Sequence, residues 1–289
     1  MRNKIWTLLF LVPALFFFIA TVIYPLLYNF VLSFTNWDGY SMSGVRFIGW
    51  DNYRSLFTFP DLLQPFVNTL KFAVFTTVIQ NLLQLLLALV LDSKLKTRSF
   101  ARVAFYIPAL LSGVVLSSIF TYLLGYNGAL NEFLRSAGLE SLVNDWFGNG
   151  DTALGLLMGI NVWQWTGFGA IIYLAALQGI PTDYYEAAKI DGAGAGSRFR
   201  HITFPLLMPA VTILTFLGIS GGLKLFELPF IITKGGPAGA TNTIATFIFS
   251  LNAGGRVALA CAISIVLMLF IALLTGLQLF VTRKREVEA

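Results

Sequence analysis

Charged residues are scarce in this 289-residue chain, because Asp, Glu, Lys and Arg together make up only 11% of it. A soluble globular domain carries about 25% charged residues, so this sequence lacks the charge needed to cover a water-facing surface. Hydrophobic residues reach 57% instead. The composition therefore predicts a protein that is surrounded mainly by lipid.

The sequence also has little that supports catalysis or metal binding. It contains one cysteine, Cys261, and one histidine, His201, so an intrachain disulfide and a His/Cys metal cluster are both excluded. The glycine-rich run 192–197 lacks the Gly-Lys-Ser/Thr ending of a phosphate loop, and no nucleophile–base pattern is present. We therefore predict that the chain is not an enzyme and does not hydrolyse ATP itself.

Six apolar runs are long enough to cross a bilayer as helices. They lie at about 5–34, 66–91, 104–124, 152–177, 206–232 and 257–281. The first run is about twice as long as the 7–15-residue core of a signal peptide, so we interpret it as an uncleaved span. Two glycine pairs in GxxxG spacing, 155/159 and 218/222, predict close helix packing. The predicted fold is an all-α, multi-pass membrane protein with a single transmembrane domain over 1–289.

The net charge of +5 comes from basic residues that lie beside the apolar runs, so no nucleic-acid partner is expected. With six spans, both termini lie on one side of the membrane. Basic residues are concentrated on that side, so we predict that it is the cytoplasm. The twelve on that side are Arg2, Lys4, Lys94, Lys96, Arg98, Arg102, Lys189, Arg198, Arg200, Arg283, Lys284 and Arg285; the five on the other are Arg46, Arg54, Arg135, Lys234 and Arg256.

A charged segment, 180–205, separates the fourth and fifth runs and is predicted to be cytoplasmic. Asp183 and Glu186 have the spacing of a capping box, which predicts a short helix beginning near Pro181. Gly192 is able to adopt the left-handed conformation that ends such a helix. A second short segment then leads through Pro205 back into apolar sequence. The pattern predicts a compact helix–turn–helix, which we call the finger (180–205).

Three strings of residues carry a resemblance to a known family. The string over 186–209, most of which lies in the finger, resembles the EAA loop of the membrane subunits of binding-protein-dependent ABC importers. Two other strings resemble the F-x-G-x-x-N-Y and F-D-x5-T-x-G-G-P segments of sugar-importer subunits of the maltose-transporter F type, with Glu227 in place of the usual Asp. The matching residues are Glu186, Ala187, Ala188, Asp191, Gly192, Ala193, Phe199, Ile202, Pro205 and Pro209; Phe47, Gly49, Asn52 and Tyr53; and Phe226, Glu227, Thr233, Gly235, Gly236 and Pro237.

This resemblance implies a type I ABC importer permease fold in the bacterial inner membrane. It also implies four kinds of partner: a second, similar permease subunit, two copies of an ABC ATPase, an extracytoplasmic solute-binding protein, and the lipid bilayer. ATP and magnesium would be bound by the ATPase, so this chain would hold no cofactor. The surface that docks on the ATPase would be formed by Glu186, Ala187, Ala188, Asp191 and Gly192.

The candidate solute path lies in the fourth and fifth runs. Lys224 and Glu227 are at i, i+3, where one helical face would let them pair, and Phe226 lies between them. Mid-span Asn161, Trp163 and Gln164 are also candidates, although Trp163 fits helix packing as well as stacking on a sugar ring. Three amides of the second run fit helix–helix hydrogen bonding better than solute contact; they are Gln80, Asn81 and Gln84.

The sequence thus predicts a permease subunit of an ATP-driven importer that forms half of the path for a sugar or oligosaccharide. One alternative is the same machine with a glycerol-phosphate-type or other polar solute. Another is an exporter or channel that needs no ATPase, in which case the finger is an ordinary linker. An intramembrane enzyme is disfavoured, because only Glu227 places a carboxylate within a span.

Overall fold

The computed structural model describes residues 11–93 and 97–286, and helices dominate both stretches. We number the principal helices α1 to α12; no β-strand occurs in these residues beyond one isolated bridge, Thr35–Phe47. They are α1 (Leu11–Leu32), α2 (Asp51–Leu56), α3 (Leu63–Asp92), α4 (Arg98–Leu110), α5 (Gly113–Leu124), α6 (Ala129–Ser136), α7 (Gly150–Gln178), α8 (Thr182–Ile190), α9 (Ala195–Leu206), α10 (Met208–Leu223), α11 (Ile244–Ala253) and α12 (Val257–Arg283).

Within the described stretches, five helical segments are long and apolar enough to cross a membrane, and there are six if the bent pair α9–α10 counts as one span. The predicted all-α membrane architecture is therefore confirmed. Residues 5–10 of the first predicted span lie outside the described residues, as do four of the basic residues that predict orientation. Those four basic residues are Arg2, Lys4, Lys94 and Lys96. The placement of the termini therefore stays a prediction.

The chain divides into two compact units. One comprises the described residues up to Leu62 together with Phe247–Phe270, and the other comprises Leu63–Thr246 together with the described residues from Ile271 onward. The prediction of one transmembrane domain over 1–289 stays a prediction. The second unit contains the finger and the candidate site residues of the fourth and fifth runs, so it receives most of the description below.

In the first unit, the F-x-G-x-x-N-Y segment ties down the end of α1. The Asn52 side-chain amide donates to the carbonyl oxygens of Ser33 and Thr35, both at 2.8 Å. The Tyr53 hydroxyl lies 2.6 Å from the Ser33 hydroxyl, and the Phe34 ring packs 5.2 Å from the Tyr53 ring. Carbonyls at the end of a helix lack intrahelical partners, so this segment supplies them. The motif therefore has a structural role in this fold.

In the second unit, α10 approaches α3 closely through two glycines. A Cβ added to Gly222 would lie 2.6 Å from the Cα of Ala73, and one added to Gly218 would lie 2.8 Å from the Thr77 hydroxyl. This confirms the close packing predicted from the 218/222 spacing. The other pair behaves differently, because Gly155 and Gly159 have no atom of the described chain within 4 Å of an added Cβ. For that pair the predicted close approach is absent within the described residues.

Two predicted spans are interrupted. The third run is split between α4 and α5, where Leu111 is extended (ψ 132°) and the Ser112 hydroxyl accepts a hydrogen bond from the backbone N–H of Val115 at 3.3 Å. The fifth run breaks after Leu223, and a π-helical turn follows at Pro229–Thr233. A serine N-cap and a proline-led turn satisfy backbone groups that a continuous helix would have used.

Candidate functional site

Both interruptions open onto one cavity of about 660 Å³ within the second unit. Helices α3, α7 and α10 form its walls, and the breaks at 111–113 and 224–228 complete them. Irregular backbone at membrane depth is tolerated where it lines a cavity, so the two breaks and the cavity belong together physically. Five residues of the predicted solute path line the cavity: Asn161, Gln164, Lys224, Phe226 and Glu227.

Trp163 is the one predicted path residue that does not line this cavity. Its side chain is half exposed, and its ring packs edge-on against Phe120 with centroids 5.7 Å apart. Residues three and four apart share a helical face, so Asn161, Gln164 and Trp165 turn toward the cavity while Trp163 lies off that face. Helix packing is therefore the role that the described contacts give to Trp163.

The amides of the second run join helices, as predicted, and two of them also line the cavity. Gln80 Nε2 donates to Asn161 Oδ1 at 2.9 Å, and Gln84 Nε2 donates to the carbonyl oxygen of Trp165 at 3.2 Å. Asn81 Oδ1 accepts from the Tyr173 hydroxyl at 2.8 Å. The sequence reasoning assigned these amides to packing and missed the cavity position of Gln80 and Gln84.

The amide of Gln84 is held with its nitrogen directed at protein. A backbone carbonyl oxygen only accepts, so the contact with Trp165 fixes which end of the amide is the nitrogen. The carboxamide lies over Gly169, where a Cβ would collide with it. Gln84 Oε1 is buried and has no hydrogen-bond partner in the described chain. A buried acceptor without a partner is costly, which makes this oxygen an unusual feature of the cavity wall.

The predicted ion pair between Lys224 and Glu227 does not form. The described residues contain two ion pairs, Asp51–Arg54 and Glu132–Arg135. The prediction assumed a continuous helix, but α10 ends at Leu223 and Lys224 adopts φ −99°, ψ 6°. The i, i+3 relation then no longer places the two side chains on one helical face. Both residues still line the cavity.

The T-x-G-G-P string folds a loop that α3 holds in place. The Thr241 hydroxyl donates to the carbonyl oxygen of Gly236 at 2.7 Å and lies 2.7 Å from the Thr233 hydroxyl. From α3, the buried Asn68 amide donates to the carbonyl oxygens of Ala240 at 3.0 Å and of Asn242 at 2.9 Å. The string therefore anchors the chain that follows the cavity residues 224–228.

The finger contains the predicted short helix and ends as the sequence predicts. Gly192 has φ +76°, its N–H donates to the carbonyl oxygen of Lys189 at 3.0 Å, and the N–H of Ala193 donates to that of Ala188 at 2.8 Å. These two bonds form a Schellman motif, which satisfies carbonyls left free at the helix end. The role predicted for Gly192 as the terminator of the helix is confirmed.

The predicted capping box at the other end of α8 is wrong. The helix begins at Thr182, Pro181 occupies the cap position, and no side chain caps the helix. Asp183 therefore lies inside the first turn, too late to act as the cap. Its carboxylate still favours the helix there, since an acidic residue in the first turn complements the partial positive charge of the N-terminus.

The finger helix α8 exposes most of its side chains. No residue of α8 is buried; Ala188 is partly exposed, and Glu186, Ala187, Asp191 and Gly192 are exposed. Ile190, at the end of α8, is 87% exposed. On its inner side, the Tyr185 hydroxyl lies 3.0 Å from the Thr203 hydroxyl and the ring packs against the apolar core of the unit.

Comparisons with known proteins agree with this arrangement. The family model described as "Binding-protein-dependent transport system inner membrane component" matches residues 80–287. The "Probable starch degradation products transport system permease protein AmyD" of Thermoanaerobacterium thermosulfurigenes is 33% identical, covering 99% of this chain and 97% of that protein. A crystal structure of a bacterial ABC transporter that imports the acidic polysaccharide alginate has a TM-score of 0.83 at 22% identity, covering 98% of this chain and 96% of that chain.

A second structure shows the bacterial alginate ABC transporter in complex with an alginate pentasaccharide-bound periplasmic protein. Its TM-score is 0.79 at 22% identity, and the match covers 97% of this chain and 93% of that chain. Both structures share the fold of this chain. The relative and the family model extend the match to the sequence itself, and the chain belongs to the family of inner membrane components of binding-protein-dependent transport systems.

Proposed function

We propose that this multi-pass permease component forms half of the path for a neutral sugar or oligosaccharide and couples it to ATP hydrolysis through the finger. One observation carries the proposal. The finger, which includes most of α9, connects α7 to α10, and these are two of the three helices that wall the cavity. Any displacement of the finger is therefore applied to two cavity walls at once.

The helices themselves provide the mechanical link. From Gln164 at the cavity to Gln178 at the end of α7 the chain stays helical, which corresponds to roughly 20 Å at 1.5 Å per residue. On the other side, α9 and α10 meet at a bend of 63°. A helix transmits displacement along its axis, whereas a bend between helices is a place where their angle can change. The finger then acts as a lever on the cavity.

The exposed surface of the finger is suited to docking on another protein. Glu186, Asp191 and the exposed Ile190 lie on or beside α8, which combines two carboxylates with an apolar anchor. Glu186 and Ile190 are four residues apart, so they lie on one face of α8, where one partner can contact both. We assign this surface, with Ala187, Ala188 and Gly192, to a separate ABC ATPase that binds and hydrolyses ATP with magnesium.

The cavity chemistry supports a solute rich in hydroxyl groups. Its polar lining combines amides with a single carboxylate, Glu227, and a single ammonium, Lys224. A phosphate-bearing solute would need more cations than one lysine supplies. The relative named for starch degradation products supports a neutral oligosaccharide. The assembly would also include a second, similar permease subunit, two ATPase copies and an extracytoplasmic solute-binding protein.

The test is uptake by the whole transporter reconstituted in liposomes with its binding protein and internal ATP. We expect ATP-dependent uptake of radiolabelled maltose or maltotriose and no uptake of glycerol 3-phosphate. An affinity-tagged chain should bring the ATPase with it from the membrane. Uptake of glycerol 3-phosphate instead of sugar would overturn the solute assignment, and uptake that continues without ATP would overturn the coupled mechanism.

A further inference from the structure

Glu227 has a neighbour that the sequence does not connect with it. Gly113, the first residue of α5, lies so close that a Cβ placed there would be 2.7 Å from Glu227 Cδ and 3.2 Å from its Cβ, and would overlap Oε2. The two residues come from the two interruptions that line the cavity. The carboxylate therefore occupies the space that every other residue type at position 113 would fill.

The position also suits a negative charge. α5 is 12 residues long, and the Ser112 hydroxyl already accepts from the N–H of Val115. The first N–H groups of a helix lack intrahelical acceptors and carry partial positive charge, so a carboxylate beside Gly113 is favoured. Lys224 does not provide this compensation, because neither ion pair of the described residues includes it.

The geometry points to Gly113 as the positioning residue for Glu227: by having no side chain, it sets where in the cavity the carboxylate lies and hence which solute hydroxyl can donate to it. This inference rests on the proposed function, since it concerns the same cavity. A carboxylate accepts only from a hydroxyl within hydrogen-bond distance. A shift of the Glu227 carboxylate by about one C–C bond length would therefore change both the preferred sugar and the rate of its uptake.

The chain offers a matched set of variants. Gly113→Ala forces the Glu227 carboxylate out of its place. Glu227→Asp withdraws the carboxylate by one methylene, so the double variant restores the space that the added methyl group takes. Gly276→Ala, in α12, is the control, because Gly276 is also a helix glycine but has no described atom within 4 Å of an added Cβ and does not line the cavity.

All variants are assayed in the reconstituted transporter for the initial rates of maltose and of lactose uptake. We expect Gly113→Ala to lower maltose uptake by about tenfold and to change the maltose-to-lactose ratio by at least about threefold. Adding Glu227→Asp should not restore the ratio, because the shorter side chain also moves the carboxylate by about one C–C bond length; it relieves only the crowding at position 113. Gly276→Ala should match wild type in rate and ratio.

A second readout separates positioning from packing. Thermal unfolding of the purified assembly should show a lower Tm for Gly113→Ala and recovery in the double variant, whether or not the assembly transports either sugar. If Tm recovers while the maltose-to-lactose ratio never changes, the pair is only a packing contact and the inference is overturned. The same holds if Gly113→Ala behaves like Gly276→Ala. Failure of wild type to take up either sugar would instead count against the proposed function.

Discussion

The finger and the cavity wall are ordered in opposite ways, although they belong to the same compact unit. In the finger, α8 is completed by bonds among neighbours in sequence at its C-terminal end, and none of its side chains is buried. In the cavity wall and the loop that follows it, order comes from residues far apart in sequence, such as Gln80 with Asn161 and Asn68 with Asn242. A locally ordered element keeps its shape while its surface stays free for a partner, whereas a wall built from distant contacts moves only as a whole.

This difference explains how one chain can combine docking with solute transport. The turn that ends α8 is closed by bonds within the finger, and Tyr185 joins the helix to the apolar core, so α8 can present its exposed surface while it moves with the bundle. The wall changes only if helices such as α7 and α10 move together. Variants that damage one kind of order should therefore spare the other, and the predictions below test that separation, beginning with the largest expected effect.

Gly192→Pro should abolish coupled uptake, with a loss greater than about tenfold. Proline fixes φ near −65° and has no N–H, so it excludes both the observed φ of +76° and the bond to Lys189. The measurement is ATP-dependent maltose uptake by the reconstituted transporter. Retained membrane insertion and an unchanged Tm of the isolated chain would show that the cavity wall is spared.

The matched control for that variant is Gly194→Ala. Gly194 has φ −70° and open space around an added Cβ, so alanine fits its conformation without strain. We expect wild-type uptake from Gly194→Ala. Normal uptake by Gly192→Pro would contradict the lever role of the finger.

Glu227→Ala should lower sugar-stimulated ATPase activity of the complete transporter by about tenfold, because a hydrogen bond to a charged group contributes about 1.5–3 kcal/mol. The matched control is Glu132→Ala, which removes a carboxylate from an exposed ion pair with Arg135 and should leave the activity unchanged. The ATPase should still co-purify with the Glu227→Ala variant, because the finger is unchanged. Equal activities for Glu227→Ala and wild type would contradict a role for this carboxylate in the solute path.

Asn68→Asp should destabilise the wall without touching the finger. Its amide nitrogen donates to the carbonyl oxygens of Ala240 and Asn242, and an aspartate would place acceptors against acceptors. The expected loss is about 1–3 kcal/mol, measured as a lower Tm of the purified assembly. Asn68→Leu should cost less, because it removes the donor without adding a repelling oxygen. A higher Tm for Asn68→Asp than for Asn68→Leu would contradict the assigned bonds.

The features that could be predicted from sequence are those held by neighbouring residues, as in the finger, and not those held by distant contacts, as in the cavity wall. The finger helix, its start near Pro181 and its termination at Gly192 were readable because their determinants are neighbours in sequence, and only the capping box was wrong, since Pro181 rather than Asp183 occupies the cap. The apolar runs were likewise readable from composition. The prediction of a Lys224–Glu227 ion pair failed because it assumed a continuous helix. The helix in fact ends at Leu223, and no local sequence rule located that break.

The contacts that shape the cavity were beyond sequence reasoning for a related reason. Gly113 lies far from Glu227 in sequence, and nothing near Gly113 marks it as the partner of a carboxylate. The same applies to Gly169 and Gln84. A glycine that makes room for a distant side chain is indistinguishable in sequence from one that has open space around it, as Gly159 has.

The smallest expected effect comes from two glutamines with similar hydrogen bonds in different places, although Gln278 Nε2 also donates to the Thr282 hydroxyl at 3.2 Å. Gln84 and Gln278 each donate from Nε2 to a backbone carbonyl oxygen at 3.2 Å, and in each the Oε1 is buried without a partner in the described chain. Only Gln84 lines the cavity. Replacing them with Met, which has a similar shape, removes one unsatisfied acceptor from each, together with one hydrogen bond at Gln84 and two at Gln278, so each should change stability by about 1 kcal/mol. If cavity opening during transport lets a sugar hydroxyl reach Gln84 Oε1, Gln84→Met should slow maltose uptake by about threefold while Gln278→Met leaves it unchanged. Equal uptake by the two variants would mean that Gln84, like Gln278, only joins helices and does not contact the sugar.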